Sequence, residues 1–370
     1  MKIGILTSSR ADYGIYKPLL HKLKDDSFFN LKIIAFGTHL SPYHGYTKKE
    51  IEKDGFPISY EIDSMLAGDS PNAIASAMAL TSLKFAEFWK VHYNSFDIVF
   101  CLGDRYEMYA SILAGIPFNI KFAHIHGGET SLGAIDNIFR HSITLASYLH
   151  FCSTYEYKKR IAELIQTEDN CLVTGALGLD NLEKMKIMSI EQLKKNFQID
   201  MSIPSVLCTF HPETVEIGKN KKYAEIIAEV LMKITNKYQI IITLSNADTE
   251  NYSIRERFLK LSHESNNKII CIENFGTHGY FSCMYHCKFL LGNSSSGIIE
   301  AASLKKNVIN LGDRQKGRLK GNNIINSRIV KEEILKNINK VVALETDNIE
   351  NPYYAGGAAS KIIKFLKSKA

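Results

Sequence analysis

Residues 97–141 read DIVFCLGDRYEMYASILAGIPFNIKFAHIHGGETSLGAIDNIFRH. The apolar run from Asp97 to Leu102 has the length of a strand rather than a helix, and it stops at Gly103-Asp104-Arg105. The run from Ile120 to Ile125 repeats the pattern and stops at His126-Gly127-Gly128-Glu129. Short apolar runs of this kind read as buried parallel strands. In an open α/β sheet, ligands sit beyond the carboxyl ends of the strands. The two strands are therefore expected to deliver Asp104 and Arg105, then His124, His126 and Glu129, with Asp136 just after, to one crevice. With Arg140 and His141 the stretch carries more ionisable groups than strand ends require. Gly127 and Gly128 allow the backbone to approach a ligand closely. Singly, each residue has a plainer use. Asp and Gly are turn formers, and Asp136 suits the cap of a helix running to Ser147.

Outward from this stretch, strands alternate with helical patterns. Toward the N-terminus lie a strand at Lys2–Thr7, the loop SSRADYG, a helix from about Tyr16 to Lys24 and a strand at Leu31–Phe36. A helix near Thr47–Asp54 and a long one from about Asn72 to His92 follow, the latter with Pro71 near its start. Beyond the central strands comes a short strand near Leu149–Cys152. From about Asn170 the pattern restarts, with strands at Cys171–Thr174, Val206–Phe210, Gln239–Leu244, Lys268–Glu273, Phe289–Leu291 and Val308–Leu311. Repeated β–α units predict parallel, doubly wound sheets. The expected organisation is a Rossmann-like domain over 1–170, a second over 171–350, and a C-terminal helix in 351–370 packing back on the first.

Length and composition agree. A chain of 370 residues suits two domains, and 45% apolar with 23% charged residues is a globular composition. No apolar run approaches the roughly 18 residues of a membrane span. The apolar start of MKIGILTSSR is too short for a signal sequence, so it reads as a first strand and the protein as cytoplasmic. The seven cysteines form no CxxC pair, and Cys283 and Cys287 lack two further ligands for zinc, so no metal is expected. A formal charge of +6 from scattered lysines gives no nucleic-acid stripe but suits a phosphorylated small molecule.

The second half carries polar groups at four strand ends: His211, Asn246, Ser294 to Ser296, and Arg314. GNSSSG stands directly before a helix, and open backbone N–H groups at a helix start bind anions. Ser294 equally suits an N-cap. Glu300, about a turn into that helix, could hold a ribose diol or serve only as a first-turn acid. Arg314 could bond phosphate, and Arg10 follows the first strand. Neither a Walker loop nor GxGxxG is present, so a P-loop ATPase and a dinucleotide enzyme are unsupported. What remains is a nucleoside diphosphate held by the second domain, acid and base groups from the first, and the reacting group between them.

SSRADYG, LGDRYE, HIHGGE, IDNIFRHSIT, FHPET, SNAD, GNSSSG with Glu300, GDRQKGR and Asn351-Pro352-Tyr353 occur in that order across nearly the whole chain. Together they resemble the hydrolysing UDP-N-acetylglucosamine 2-epimerases of bacterial sialic acid synthesis, and equally their relatives acting on UDP-N,N′-diacetylbacillosamine in legionaminic acid synthesis. The resemblance implies two Rossmann-like domains of the glycosyltransferase-B type with the active site in the cleft between them, no cofactor, no metal, and a homodimer. It implies elimination of UDP to a 2-acetamidoglycal, then hydration with inversion at C2. It places functional carboxylates at Asp104 and Asp136, phosphate contacts at Arg10, His211, Ser294, Ser295 and Arg314, the ribose contact at Glu300, and Asn246 and Arg105 along the same pocket. Where the wider pattern often has an acid, this chain has His126, so the base is Glu129 or His126 itself. The nucleotide sugar would be read from loops such as His39–Tyr46 and Met65–Asn72. A glycosyltransferase and a non-hydrolysing epimerase are the competing readings.

Overall fold

The computed structural model describes residues 1–369 apart from 43, 44, 67, 69, 216, 245–250 and 274, and leaves aside the side chains of 217 and 251. Asn246 and the SNAD motif, with parts of the two expected sugar-reading loops, lie outside the described residues.

The chain forms two units. The first comprises residues 1–129, 136–183 and 353–370; the second comprises 130–135 and 184–352. In the first unit the elements are β1 (Lys2–Thr7), α1 (Arg10–Lys24), β2 (Asn30–Phe36), α2 (Lys48–Lys53), β3 (Ile58–Ile62), α3 (Pro71–His92), β4 (Ile98–Leu102), α4 (Tyr106–Gly115), β5 (Phe122–Ile125), α5 (Asp136–Leu145), β6 (Ser147–Cys152), α6 (Tyr155–Ile165), β7 (Cys171–Val173) and α7 (Leu179–Lys184). The second unit holds α8 (Ile190–Phe197), β8 (Ser205–Thr209), α9 (Asn220–Ile234), β9 (Gln239–Thr243), α10 (Asn251–Glu264), β10 (Ile269–Ile272), α11 (Gly276–His286), β11 (Phe289–Gly292), α12 (Ser295–Ile299), β12 (Val308–Leu311), β13 (Ile324–Ser327) and α13 (Lys331–Ala343). The chain ends in α14 (Ala358–Ser368), back in the first unit.

Both sheets are parallel throughout. The first runs β3-β2-β1-β4-β5-β6-β7 and the second β10-β9-β8-β11-β12-β13. Each thus reverses direction beside its own first strand, at β1/β4 and at β8/β11. That reversal is the switch point where doubly wound sheets bind ligands. Side chains alternate between faces: Ile3, Ile5, Phe100 and Ala123 join one core cluster, Leu6, Val99, Cys101 and Phe122 another. Helices cover both faces, as a fully buried parallel sheet requires.

Three expectations are corrected. The strand at 171–173 is the edge of the first sheet, pairing with β6 through His150 and Cys171, so the first unit runs on to Glu183 rather than ending at 170. Residues 130–135, expected in the first domain, belong to the second unit: Leu132 N–H donates to Lys316 O (3.0 Å) and Ile135 N–H to Thr214 Oγ1 (2.9 Å). The helix expected to reach Ser147 stops at Leu145, because Ser147 pairs with Phe122 at the start of β6. β3, β13, α6, α10 and α13 were not anticipated.

α14 packs on α1 through Ile362 and Leu366, which share a cluster with Leu19 and Leu23. Its first N–H groups, at Ala358 and Ala359, donate to the Asp180 carboxylate (both 2.8 Å), a remote cap for an otherwise open helix start. The Asn-Pro-Tyr motif marks the crossing of the unit boundary. Asn351 Nδ2 donates to Ile299 O (2.8 Å) in the second unit, and the Tyr353 hydroxyl meets that of Tyr157 (2.8 Å) in the first.

Candidate active site

At the switch point of the first unit, β1 opens into Ser8, Ser9 and Arg10. Asp12, 3% exposed, folds this loop: its carboxylate accepts from Ser8 N–H (2.7 Å), Ser8 Oγ (3.1 Å) and the Ser9 hydroxyl. Ser9 caps α1, and Arg10 is the first residue of that helix. His39, just past β2, joins Thr7 Oγ1 (2.9 Å) to Thr47 Oγ1 (2.8 Å). Burial lowers its pKa, so it serves as a neutral strut.

β4 and β5 end side by side, and their polar residues form one network. Asp104 pairs with the Arg140 guanidinium from α5. Arg140, 2% exposed, also donates to His126 O (3.0 Å) and lies 3.7 Å from Glu129 Oε2. Glu129, 1% exposed, accepts from His126 Nδ1 (2.6 Å) and from Ser153 Oγ (2.9 Å), both on Oε1. Arg105 pairs with buried Glu107 (2.9 Å). Asp136 stands half-buried as the first residue of α5. The loop between β5 and the network is tightly turned. His126 has φ 66° and Gly128 φ 75°, and a Cβ on Gly128 would press on the Tyr157 carbonyl and Ile161. A non-glycine residue with positive φ is strained, and such strain gathers at functional sites.

One expected member stands elsewhere than foreseen. His124 does not face a crevice: it is fully buried, and its Nε2–H donates to Gly103 O (2.8 Å). Burial lowers its pKa to about 3, so it stays neutral and ties β5 to the end of β4. Glu129 is buried, and its oxygens are engaged by His126, Ser153 and Arg140.

In the second unit the ends of β8, β11 and β12 converge. His211 N–H donates to Asn293 Oδ1 (2.7 Å), and Asn293 Nδ2 donates back to His211 O (2.8 Å), locking the two loops at the switch point. Gln315 Nε2 donates to Asn293 O (2.8 Å), tying in the loop after β12. Glu213, 4% exposed, accepts from the backbone N–H groups of Asp313 (2.7 Å) and Arg314 (3.2 Å) and so sets where Arg314 stands. Gly292, φ 143°, lies so close to Thr209 O that a side chain there would collide with it. Ser294 caps α12, and its Oγ lies 2.9 Å from Ser296 Oγ, itself 2.6 Å from the Tyr280 hydroxyl. Ser295 opens α12, and Glu300, 8% exposed, ends it. His211, Ser294, Ser295 and Arg314 thus follow the ends of β8, β11 and β12, and Glu300 stands at the far end of α12.

Sequence reasoning missed Asp12, Glu213, Asn293 and Gln315. The FHPET, GNSSSG and GDRQKGR motifs contained three of them, but their partners are 82 to 101 residues away or at backbone atoms that no spacing reveals. Among the described residues, no cluster of three His, Cys, Asp or Glu side chains suits a metal, and no helix is long and apolar enough to cross a membrane. All seven cysteines are free thiols.

With this geometry in view, comparison with known proteins is direct. The chain is 36% identical over 328 residues to the GDP/UDP-N,N′-diacetylbacillosamine 2-epimerase (hydrolyzing) of Campylobacter jejuni, covering 89% of this chain and 84% of that one. It is 33% identical over 377 residues to polysialic acid biosynthesis protein P7 of Escherichia coli, covering 100% and 95%. Its fold is shared with the UDP-GlcNAc 2-epimerase from Neisseria meningitidis bound to UDP-GlcNAc, with a TM-score of 0.83, 20% identity and complete coverage of both chains. The family profile described as UDP-N-acetylglucosamine 2-epimerase matches residues 21–367, and the chain belongs to that family.

Proposed function

We propose that the protein is a hydrolysing UDP-sugar 2-epimerase that converts UDP-N-acetylglucosamine and water to N-acetylmannosamine and UDP. A base removes the C2 proton, the C1–O bond breaks as UDP departs, and a C1=C2 glycal forms. Water then adds its oxygen at C1, and a proton returns to C2 on the opposite face. The observation that carries the reading is the network at the β4 and β5 ends, where Asp104, His126 and Glu129 converge on Arg140. General acid and base groups are what elimination and hydration require. Asp104, Asp136, His126 and Glu129 make up the acid–base machinery. Arg10, His211, Ser294, Ser295 and Arg314 meet the diphosphate, Glu300 the ribose, and Asn246 and Arg105 complete the binding set. A diphosphate suits the fixed strand-end loops and helix start of the second unit. No metal or cofactor is required, and the protein works in the cytoplasm as a homodimer.

A second substrate has specific support. Among relatives above 30% identity stand diacetylbacillosamine 2-epimerases from Campylobacter jejuni and Legionella pneumophila. Product NMR with each UDP-sugar and no acceptor decides. Free 2-epimerised sugar with UDP is expected from one of the two. Recovery of an epimerised UDP-sugar would make the enzyme non-hydrolysing, and inert nucleotide sugars would favour a transferase. In deuterated water, one deuterium should appear at C2 of the product.

A further inference from the structure

We infer that His126 and Glu129 act as a dyad in which His126 Nε2 takes the C2 proton and Glu129 is a positioning residue that never touches the sugar. The inference rests on the epimerase reading above. Its ground is the way the β5 end is built. Glu129 is 1% exposed, and its Oε1 accepts from His126 Nδ1 at 2.6 Å and from Ser153 Oγ at 2.9 Å. A neutral imidazole holds one proton. A carboxylate that accepts at Nδ1 holds that proton there and leaves Nε2 with its lone pair. The carboxylate is itself fixed from both sides, by Ser153 from the end of β6 and by Arg140, whose Nη1 stands 3.7 Å from Oε2. Base, orienting acid and a group that fixes the acid form the same logic as a nucleophile–base–orienter triad.

The backbone supports the same assignment. His126 sits at φ 66°, a left-handed conformation that a non-glycine residue adopts at a cost. The conformation is maintained by Arg140, which donates to the His126 carbonyl at 3.0 Å. A histidine serving only to fill space would not need a strained backbone, a buried acid and an arginine. Arg140 also pairs with Asp104, so one cation sets the position of both acids and of the histidine's peptide group.

The proton balance assigns the rest. As the C2–H bond breaks, its proton goes to Nε2 and its electron pair forms the C1=C2 bond. The C1–O pair leaves with UDP, and His126 becomes an imidazolium facing Glu129. Inversion at C2 means that the proton returns from the other face, which one ring fixed by Glu129 on one side cannot reach. Water adding its oxygen at C1 gives up a proton, which Asp104 or Asp136 carries to that face of C2, while His126 releases the abstracted proton to solvent.

Histidine-labelled ¹⁵N NMR tests the dyad without substrate, with the His126 signals identified by their loss in His126→Asn. The expected result is an Nδ1–H tautomer in the native protein and an Nε2–H tautomer in Glu129→Gln, whose amide can donate to Nδ1. An Nε2–H tautomer in the native protein would overturn the dyad. In turnover, Glu129→Gln should lower kcat by at least about a hundredfold with KM changed less than about threefold, and Glu129→Asp should recover part of the loss. A merely structural Glu129 would lower the melting temperature and leave the tautomer and kcat near normal, and that result would also overturn the proposal. His126→Asn should form no glycal, whereas Asp104→Asn should still form it; glycal formed by His126→Asn at the native rate would overturn His126 as the base. If the native protein turns over neither nucleotide sugar, the epimerase reading and with it His126's proton transfer fall, while the NMR still decides the His126–Glu129 pairing.

Discussion

The two units share a strand order, yet their strand ends are built from different bonds. In the first unit the bonds at the β4 and β5 ends join ionisable side chains to one another: Asp104 to Arg140, Arg140 to Glu129, Glu129 to His126. In the second they join side chains to backbone: Asn293 to both peptide groups of His211, Glu213 to the N–H groups of Asp313 and Arg314, Gln315 to Asn293 O. The difference follows from the chemistry each end would perform. Moving a proton needs ionisable groups whose partners set their state. Holding a diphosphate needs loops fixed in shape, with hydrogen-bond donors ready before the ligand arrives. One topology thus carries two kinds of strand-end network, and the division is in the loops rather than in the sheets.

The sharpest way to break the contrast is Arg140→Ala. It strands the buried Glu129 carboxylate and removes the partner of Asp104. Loss of one member of a buried ion pair costs about 3–5 kcal/mol. We expect a melting temperature lower by roughly ten degrees and no detectable turnover. Calorimetry beside a UDP-release assay checks both. A change within two degrees would mean that the network does not hold the first unit together.

Next come Asp104→Asn and Asp136→Asn, which keep size and remove charge. Each should cost at least about a hundredfold in turnover, and at least one should release glycal into solution. UDP affinity measured by calorimetry should stay within about threefold, since all the proposed diphosphate contacts except Arg10 belong to the second unit. Loss of UDP binding in these variants would erase the distinction between the two sites. Near-normal turnover with a lowered melting point would leave Asp136 as a helix cap alone.

Acid should then separate the units. Burial lowers the pKa of His124 to about 3 and of His150 to about 4. Both groups bind protons more readily when unfolded, so native stability is full above the ordinary histidine pKa of about 6.5 and falls as pH drops toward those values. Each should subtract about 1.4 kcal/mol per pH unit across that window. Hydrogen exchange at pH 7 and pH 5 should show β4, β5 and β6 losing protection. Their unchanged protection at pH 5 would contradict the assignment of neutral, buried rings.

The smallest effect is expected at Glu213→Gln. It weakens two charge-assisted bonds that position Asp313 and Arg314. We expect roughly tenfold weaker UDP binding, a raised KM and a kcat within twofold. A fall in kcat with UDP affinity intact would show that the second unit takes part in the chemistry as well as in binding.

How much of this was legible beforehand depends on the range of each interaction. The β1, β4, β5, β8 and β11 ends were readable because a buried strand is a continuous apolar run and its end is announced by glycine and polar residues. β3 (ISYEI) was not, since most of its residues are half-exposed and show no such run. β7 was seen as a strand but assigned to the wrong unit, for a three-residue strand says nothing about which sheet it joins. Asp180 capping α14 from 178 residues away left no local trace, whereas the return of α14 to the first unit was expected from the helix's amphipathic pattern.

By itself the sequence determined the βα alternation, the two halves, the polar strand ends and the family. These are properties of short windows, where side-chain period and turn chemistry act within a few residues. Tertiary structure alone decided that residues 130–135 belong to the second unit, that Glu129 faces His126, Ser153 and Arg140, and that His124 is a neutral strut. Each of these depends on which groups share a desolvated space, where a hydrogen bond or ion pair to a distant segment fixes the role of a titratable side chain. Residue type and spacing name the candidates for acid and base, and burial with its partners assigns their parts.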